Sequence, residues 1–406
     1  MKLQRGSALI LAILMLTFIM ILGSALLTSV TLDVAIGENY RSETQLLYLA
    51  EAGIEDARQV LRDSTVSLSQ RLAAAAGADG VLSTFENLDA LLNNSDDIPL
   101  LNGGNRTTGK LLTDTSGRDA GRYFVFVRND PADGLNNISD SNQIVTLLSI
   151  AVLGNSRKSL DVTLMKWRFP ILPAALVLDG SPAMFVPPDP GSGISGRDAS
   201  ASGDDRHAVA VLSAEDKANV SASIADVVVL DGSAGALLDP RLTTTTGIER
   251  IVSTIVSNAT EVMNPGWNGR TVVGNVGSSQ DYRVVVVNGD CELNSAAGYG
   301  ILLVRGNLKL SGNFSWNGLI LVVGQGQIDW LQSGHGEIYG LVFVARTRAD
   351  DRSPTNELGT LLQQRGTVSV NLSAEGSSIH LQNPGANILG LANQKFPYVP
   401  ISIREN

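Results

Sequence analysis

Two glycine-rich stretches of the sequence have the spacing of nucleotide-binding loops. Residues 104–110 fit a phosphate-binding loop up to its last position, where Leu111 replaces the Ser or Thr that would hold Mg²⁺. Residues 191–196 match the dinucleotide-binding fingerprint, but Pro-Pro-Asp-Pro precedes them where a strand must stand. Because both motifs bind nucleotides only between a strand and a helix, we interpret these stretches as turns.

A third candidate site is the oxygen-rich loop at residues 129–142. It contains Asp130, Asp133 and Asp140 together with asparagines, and Ca²⁺ prefers such oxygen ligands. Pro131, however, stands where part of a calcium loop would place a ligand. Two interpretations therefore stay open: a weak structural Ca²⁺ site on the three aspartates, and a solvated hairpin loop, which the irregular spacing favours.

No catalytic set is recognisable in the sequence. Its three histidines, His207, His335 and His380, include no pair with the i,i+4 spacing of a zinc-binding helix. Cys291 is the only cysteine, so neither a thiolate metal set nor an intramolecular disulfide can form. A G-x-S-x-G nucleophile motif is also missing. We therefore expect a protein that is not an enzyme and has no cofactor apart from the possible Ca²⁺.

Charge and composition limit the class of partner. The 406-residue chain has 44% hydrophobic and 17% charged residues, which is typical of a globular protein, and its formal net charge is −10. Nucleic-acid binding requires clustered Lys and Arg to neutralise phosphates. The acidic balance therefore predicts that nucleic acid is not a partner.

The elements that position these loops begin with a strongly apolar N-terminal stretch. Leu9 to Leu27 reads LILAILMLTFIMILGSALL, and no charged residue occurs between Arg5 and Asp33. This run is longer than the ~20 residues that a membrane-spanning helix needs. The positive charges before it predict a cytoplasmic N-terminus and an external C-terminal part.

The apolar run continues as an amphipathic helix. Leu47, Ala50, Ile54, Ala57 and Leu61 are spaced three and four residues apart, which gives one apolar face. We therefore predict a single helix over residues 7–62, on the order of 80 Å long, that spans the membrane at about residues 8–30.

This N-terminus resembles that of type IV pilin-like proteins, most closely the PilX-type minor pilins and the pseudopilin K group. The resemblance depends on the short basic leader ending in Gly6, the apolar run after it, and the segment Tyr-Leu-Ala-Glu-Ala-Gly at residues 48–53. In such proteins a prepilin peptidase cuts after the glycine, and the new N-terminus, here Ser7, is methylated in many members. The resemblance thus implies processing between Gly6 and Ser7.

The same resemblance implies assembly through the helix. Major pilins have a glutamate as the fifth residue of the mature chain, whereas this sequence has Leu11 there. The absence favours a rare subunit over a major one. Small residues such as Gly23, Ser24 and Ala25 would allow close packing with the helices of other pilins.

The rest of the chain changes from helical to strand periodicity. Residues 63–168 include β-rich runs from residue 122 onward, which predict a pilin-like globular head with an antiparallel sheet on the helix. Residues 169–200 are rich in Pro and Gly and are interpreted as a connector. Residues 201–282 are predicted to be a mixed α/β segment.

Residues 283–406 begin with an internal repeat. Arg283, Gly300, Gly318 and Gly340 are aligned by spacings of 17, 18 and 22, and a valine follows each of them four residues later. A recurrence near twenty residues is typical of a short parallel β-helix, and an antiparallel sandwich is the alternative. The predicted fold class is therefore α+β: a long pilin-like helix on an antiparallel β head, followed by a β-rich C-terminal module of the solenoid type.

These features together predict a minor subunit of a type IV pilus that primes assembly or caps the tip and displays its β-rich part. Its expected partners are other pilins, the prepilin peptidase and, before assembly, the inner membrane. Its expected final location is an extracellular pilus or pseudopilus. Two alternatives remain: a tip adhesin that binds a surface or glycan, and a pseudopilin of a type II secretion system.

Overall fold

A computed structural model describes most of the chain, and the chain divides into two compact units. The first unit contains residues 1–166 and 398–406, and the second contains residues 167–397. The described residues are 4–62, 66–83, 85, 88–93, 96–101, 109–113, 117, 119–188, 193–197, 205–230, 238–330, 335–374, 376–380 and 396–405.

The helices and strands lie in the following order. The α-helices are α1 (Gln4–Arg62), α2 (Leu68–Ala75), α3 (Leu88–Asn93), α4 (Ala214–Ser221) and α5 (Thr245–Ser257). The strands are β1 (Lys110–Thr113), β2 (Asp119–Asn129), β3 (Ile144–Leu153), β4 (Ser156–Lys166), β5 (Ala174–Asp179), β6 (Ala183–Val186), β7 (Ile194–Ser195), β8 (His207–Val211), β9 (Val227–Val229), β10 (Glu261–Met263), β11 (Arg270–Val273), β12 (Arg283–Val287), β13 (Asp290–Asn294), β14 (Ala297–Val304), β15 (Asn307–Ser311), β16 (Phe314–Gly324), β17 (Gln327–Trp330), β18 (Gly336–Arg348), β19 (Leu361–Gly366), β20 (Val368–Asn371), β21 (Ser377–His380) and β22 (Tyr398–Glu405).

The first unit is a five-stranded antiparallel sheet packed on the second half of α1. The strand order is β1-β2-β3-β4-β22, and every pair in it is antiparallel. This arrangement confirms the predicted long helix followed by an antiparallel head. The head differs from the prediction in one strand, however. This strand, β22, comes from the C-terminus of the chain and completes the sheet beside β4.

One face of α1 forms the core with this sheet. The buried positions begin at Leu46 and continue through Ala50, Ile54, Ala57 and Leu61, so the predicted apolar face is confirmed except at its first member. Leu47 is only half-buried, because it lies one residue round the helix from Leu46. The helix is therefore fixed to the head by its second half.

The second unit contains two parallel sheets. In the larger sheet the main path is β10-β12-β14-β16-β18-β5-β8-β9, and in the smaller one the order is β11-β13-β15-β17-β20-β6. Along both orders every neighbouring pair is parallel. One apolar core draws residues from both sheets and includes the buried Trp316 and Trp330, and a second core packs α5 on the larger sheet. The antiparallel sandwich that the repeat left open is contradicted by these parallel ladders.

The repeat itself is reproduced in register. Arg283, Gly300, Gly318 and Gly340 are successive ladder partners. Gly318 has φ +146, and a Cβ there would lie 1.9 Å from the carbonyl oxygen of Gly300, so the close approach of these strands requires glycine.

Four residues further along the same strands lies a line of buried valines, which we call the valine column. Val287, Val304, Val322 and Val344 pair in that order, and each is fully buried. The column continues through Leu178 of β5 and Val211 of β8. The spacing therefore identified the strands that stack, although it showed only part of the stack.

Three predicted boundaries differ from the structure. Residues 169–200 are not a connector: β5, β6 and β7 lie within them, and all six residues of β5 are buried between neighbouring strands. The segment 201–282 contributes β8 to β11 to the same two sheets. The last strand of the module predicted over residues 283–406 belongs to the first unit instead. In each case the deciding contacts are between residues far apart in sequence.

Candidate functional site

The first half of α1 is a long apolar surface that nothing in the described chain covers. Its large hydrophobic side chains from Leu9 to Ile36 are 47% to 67% exposed. By length and composition, α1 is the one described helix that could cross a membrane, with a mean hydropathy of 2.7 in its most apolar window. Apolar surface of this extent is stabilised only by lipid or by another apolar partner.

Several polar side chains in this half form hydrogen bonds within the helix. Thr17, Ser24 and Thr28 donate hydroxyl hydrogen bonds of 2.9 Å to backbone carbonyls three or four residues earlier. A hydroxyl that bonds to its own helix needs no water, so these three side chains can enter lipid with their donors paired.

The residues predicted to serve processing and assembly all lie in this helix. Gly6 and Ser7 belong to its first turns, and Leu11 is 66% exposed. Gly23 has no atom within 4 Å of the place where a Cβ would stand, which leaves a shallow notch beside Ser24. The notch would let the backbone of another helix approach closely.

Polar contacts hold the second half of α1 to the head. The Arg58 guanidinium donates two hydrogen bonds, of 3.1 Å and 3.0 Å, to the carbonyl of Tyr398 and one of 2.6 Å to Glu55. Asp56 accepts hydrogen bonds from Lys110 and from the Tyr123 hydroxyl. Burial acts to raise the pKa of Asp56, but the hydrogen bonds and the Lys110 charge outweigh it and lower that pKa.

Gly53 lies in close contact with the sheet. A Cβ there would lie 2.3 Å from Ser149 Oγ and 2.9 Å from Tyr123 Cδ2. From the sequence alone, a glycine inside a helix indicates only weaker helix propensity. Its closeness to β2 and β3 could not be found without the sheet, although the Ala-Glu-Ala-Gly segment marks the position.

The aspartates of the candidate calcium loop are engaged within the loop. Asp130 is buried and accepts from Asn142 Nδ2 at 3.0 Å, and Asp133 accepts from the Ser141 backbone at 2.7 Å. Asp140 accepts from the backbone of Gln143 at 2.8 Å. Among the residues that the structure describes, no group of three or more His, Cys, Asp or Glu is placed to hold a metal ion. Calcium binding here stays a prediction.

The two glycine-rich stretches are only partly visible. Residues 104–108 of the first and 191–192 of the second lie outside the described residues. In the second stretch, Ile194 and Ser195 form β7, which pairs in parallel with β21. In its described part, the fingerprint thus contains a strand where a dinucleotide site would begin a helix.

Comparison with known proteins identifies the helix. Residues 5–55 match the family model for the PilX N-terminal segment. No curated protein matches the chain. Among solved structures, the chain is similar to the crystal structure of the competence-associated pilin ComZ from Thermus thermophilus, with 13% identity over 89% of this chain and 97% of that chain and a TM-score of 0.22. That TM-score is too low to support a shared fold. The family match thus covers the first helix, whose residues 5–55 are similar to the N-terminal segment of PilX-type proteins.

Proposed function

We propose that this chain is a minor subunit that enters a type IV pilus through the exposed half of α1, near the tip of the filament. The observation that carries the proposal is the uncovered apolar surface from Leu9 to Leu32, which contains no charged residue, on a helix whose second half is fixed to a folded head. In this proposal the subunit waits in the inner membrane with its N-terminus in the cytoplasm. Its basic residues before the apolar run support that orientation.

Assembly exchanges one apolar environment for another. When α1 leaves lipid for a bundle of similar helices, little hydrophobic free energy is gained, so close packing decides association. The notch at Gly23 supports this step, since it offers bare backbone to a neighbouring helix. Leu11, in place of an acidic residue, favours a subunit present in few copies.

The second unit is then a display module. We infer that its two parallel sheets are the walls of a short parallel β-helix, because β10, β12, β14 and β16 of the larger sheet are each followed in the chain by a strand of the smaller sheet. The in-register valine column supports this inference, because stacked rungs bury the same position repeatedly. A structural and not a catalytic role fits such a module.

Processing after Gly6 provides the test. The wild-type chain, expressed with its pilus machinery, should be recovered in sheared filaments with Ser7 as its first residue, as shown by N-terminal mass spectrometry. Gly6→Val should leave the full leader in place and keep the chain in the membrane. Gly37→Ala, at a position where a Cβ meets no atom within 4 Å, is the matched control and should be processed normally.

Three outcomes would contradict or redirect the proposal. Filaments that contain Met1 at the start of this chain would exclude processing. Normal filament incorporation of Gly6→Val would show that cleavage is not needed. Recovery with a secretion complex and not with pili would assign the chain to a pseudopilus.

A further inference from the structure

A groove in the second unit combines an aromatic ring, an arginine and hydroxyl groups. It is lined by Trp167, the short 3-10 turn Pro240–Leu242 and the outer face of α5, and its volume is about 550 Å³. That volume lies within the ~300–1,000 Å³ typical of small-molecule sites. All of its lining residues belong to the second unit.

The rotation of α5 is fixed by an ion-pair network on its other side. Glu249 accepts from Arg348 Nη2 at 2.8 Å and from Arg305 Nη2 at 3.2 Å. Burial acts to raise the pKa of Glu249, but hydrogen bonding and the charges of both arginines lower it, so the network stays ionised at neutral pH. With Glu249 held against the sheet, the adjacent Arg250 is directed to the outer face, where it is exposed.

The outer face of α5 is polar at four-residue spacing. Thr246, Arg250 and Thr254 lie one turn apart along the groove, while Ile251 forms part of its floor. The Thr254 hydroxyl donates to the carbonyl of Arg250 at 3.0 Å, which leaves its oxygen able to accept. The groove therefore offers donors and acceptors beside an apolar floor.

The two arginines of the groove differ in their charge balance. Arg241 is held by Asp239 through hydrogen bonds of 3.0 Å and 2.9 Å. Arg250 forms no ion pair with any residue that the structure describes. Its exposed guanidinium is thus able to bind an external partner, and carboxylates match its fork of donors.

Trp167 forms the aromatic wall. Its ring packs edge-on against Phe396 with centroids 4.3 Å apart, which fixes its position. A fixed ring and an unpaired guanidinium that line the same groove suit a ligand with one apolar ring face and one carboxylate.

We propose that this groove binds an acidic saccharide, with a sugar face on Trp167, a carboxylate on Arg250 and hydroxyls on Thr246 and Thr254. The site is distinct from the α1 surface that the proposed assembly uses. Failure of the saccharide to bind would therefore leave the processing test unchanged.

The test is isothermal titration calorimetry of the full chain in detergent with trigalacturonate, and with its methyl ester as the uncharged counterpart. The acid should bind and the ester should bind at least about 10-fold more weakly, since a hydrogen bond to a charged group is lost. Arg250→Gln should weaken acid binding by about 10-fold or more, and Trp167→Leu should also weaken it. Arg283→Gln, an exposed arginine outside the groove, should bind as wild type.

Any of the following results would overturn the proposal. Absence of binding by wild type, or equal binding of acid and ester, would exclude the carboxylate contact. Equal loss in Arg283→Gln would indicate long-range charge and not a site. Acetate that competes as well as the saccharide would show a general anion site. Unchanged melting of the two groove variants separates loss of binding from loss of folding, and a variant that melts early is replaced by Arg250→Lys and Trp167→Tyr.

Discussion

Gly53 shows how one missing Cβ sets the distance between the helix and the sheet. The position is buried against Tyr123, Val125 and Ser149, and the nearest of these atoms, Ser149 Oγ, would be 2.3 Å from a Cβ. An added methyl group must push the helix away from the sheet or displace buried side chains.

We expect Gly53→Ala to destabilise the first unit by about 1–3 kcal/mol, the usual cost of overpacking, despite the better helix propensity of alanine. Hydrogen exchange of the peptides from β2 and β3, followed by mass spectrometry, measures this loss. Gly37→Ala is the control, because it gains the same propensity and meets no atom within 4 Å. Equal protection in both variants would contradict the close approach.

Asp179 is the second informative residue, since it is fully buried at the end of β5 with Arg365 as its ion-pair partner. Burial raises its pKa to about 7, against the opposing effect of the Arg365 charge. The folded state thus holds this proton more tightly than the unfolded state, whose pKa is near 3.8. The resulting stability is fully present below pH 3.8 and is lost as pH rises through about 7.

We therefore expect the urea concentration at the unfolding midpoint of the second unit to decrease as the pH rises from 5 to 8. Asp179→Asn should make this midpoint nearly independent of pH in that range. Tryptophan fluorescence reports this unit alone, because all four tryptophans lie within residues 167–397. Asp350→Asn, at a side chain 73% exposed, should keep the wild-type slope. If the urea midpoint of Asp179→Asn still decreased with pH as in the wild type, Asp179 would not be the cause of this pH dependence.

At the scale of elements, the parallel strands depend on repeated burial at one position. Each member of the valine column is covered above and below by the next, so a polar group there meets no partner. On the outer face of the smaller sheet, by contrast, a polar side chain does have partners. Lys309 lies between Glu292 and Asp329 in the ladders and forms a 3.5 Å ion pair with Glu292.

We expect Val304→Asp to unfold the second unit, because burying an unpaired carboxylate costs several kcal/mol. Lys309→Gln, a neutral change on the outer face, should shift the melting temperature by only a few degrees. Thermal melts followed by tryptophan fluorescence measure both. If the two variants melt alike, the valine column is not interior and the stacked arrangement is wrong.

At the scale of the whole molecule, the second unit is an insertion between two neighbouring strands of the first. Lys166 and Tyr398 face each other in the β4–β22 ladder, and within the second unit the Trp167 amide donates to the Pro397 carbonyl at 3.1 Å. Because the two ends of this insertion are adjacent, we expect its removal to leave the sheet of the first unit unstrained.

Replacing residues 167–397 with Asn-Gly should therefore leave the first unit folded, since two such residues form the turn that a hairpin of facing residues needs. Hydrogen exchange of β2 and β3 should match that of the full chain. A chain that stops at Lys166 is the control: it lacks β22 and its carbonyl contact with Arg58, and should exchange faster. Loss of protection in the Asn-Gly variant would show that the first unit depends on the second.

Local patterns in the sequence were sufficient to predict the elements whose structure depends on residues close together in the chain. The apolar run from Leu9 is continuous, and the amphipathic face of α1 has the period of a helix. The repeat at Gly300, Gly318 and Gly340 is a recurrence that can be read directly along the chain. The PilX-type resemblance was visible for the same reason, since it lies within one continuous helix.

Only the tertiary structure decided which distant segments pair. Proline-rich residues 169–200 look like a connector, yet β5 is buried because β18 and β8 lie on either side of it. The strand Tyr398–Glu405 follows the repeat in sequence but joins the head, because β4 offers it an unpaired edge. The groove beside Arg250 likewise exists only where α5 meets Trp167, more than seventy residues earlier in the chain. Backbone hydrogen bonds and buried contacts between segments far apart have no period along the chain, so these features follow from packing and not from local pattern.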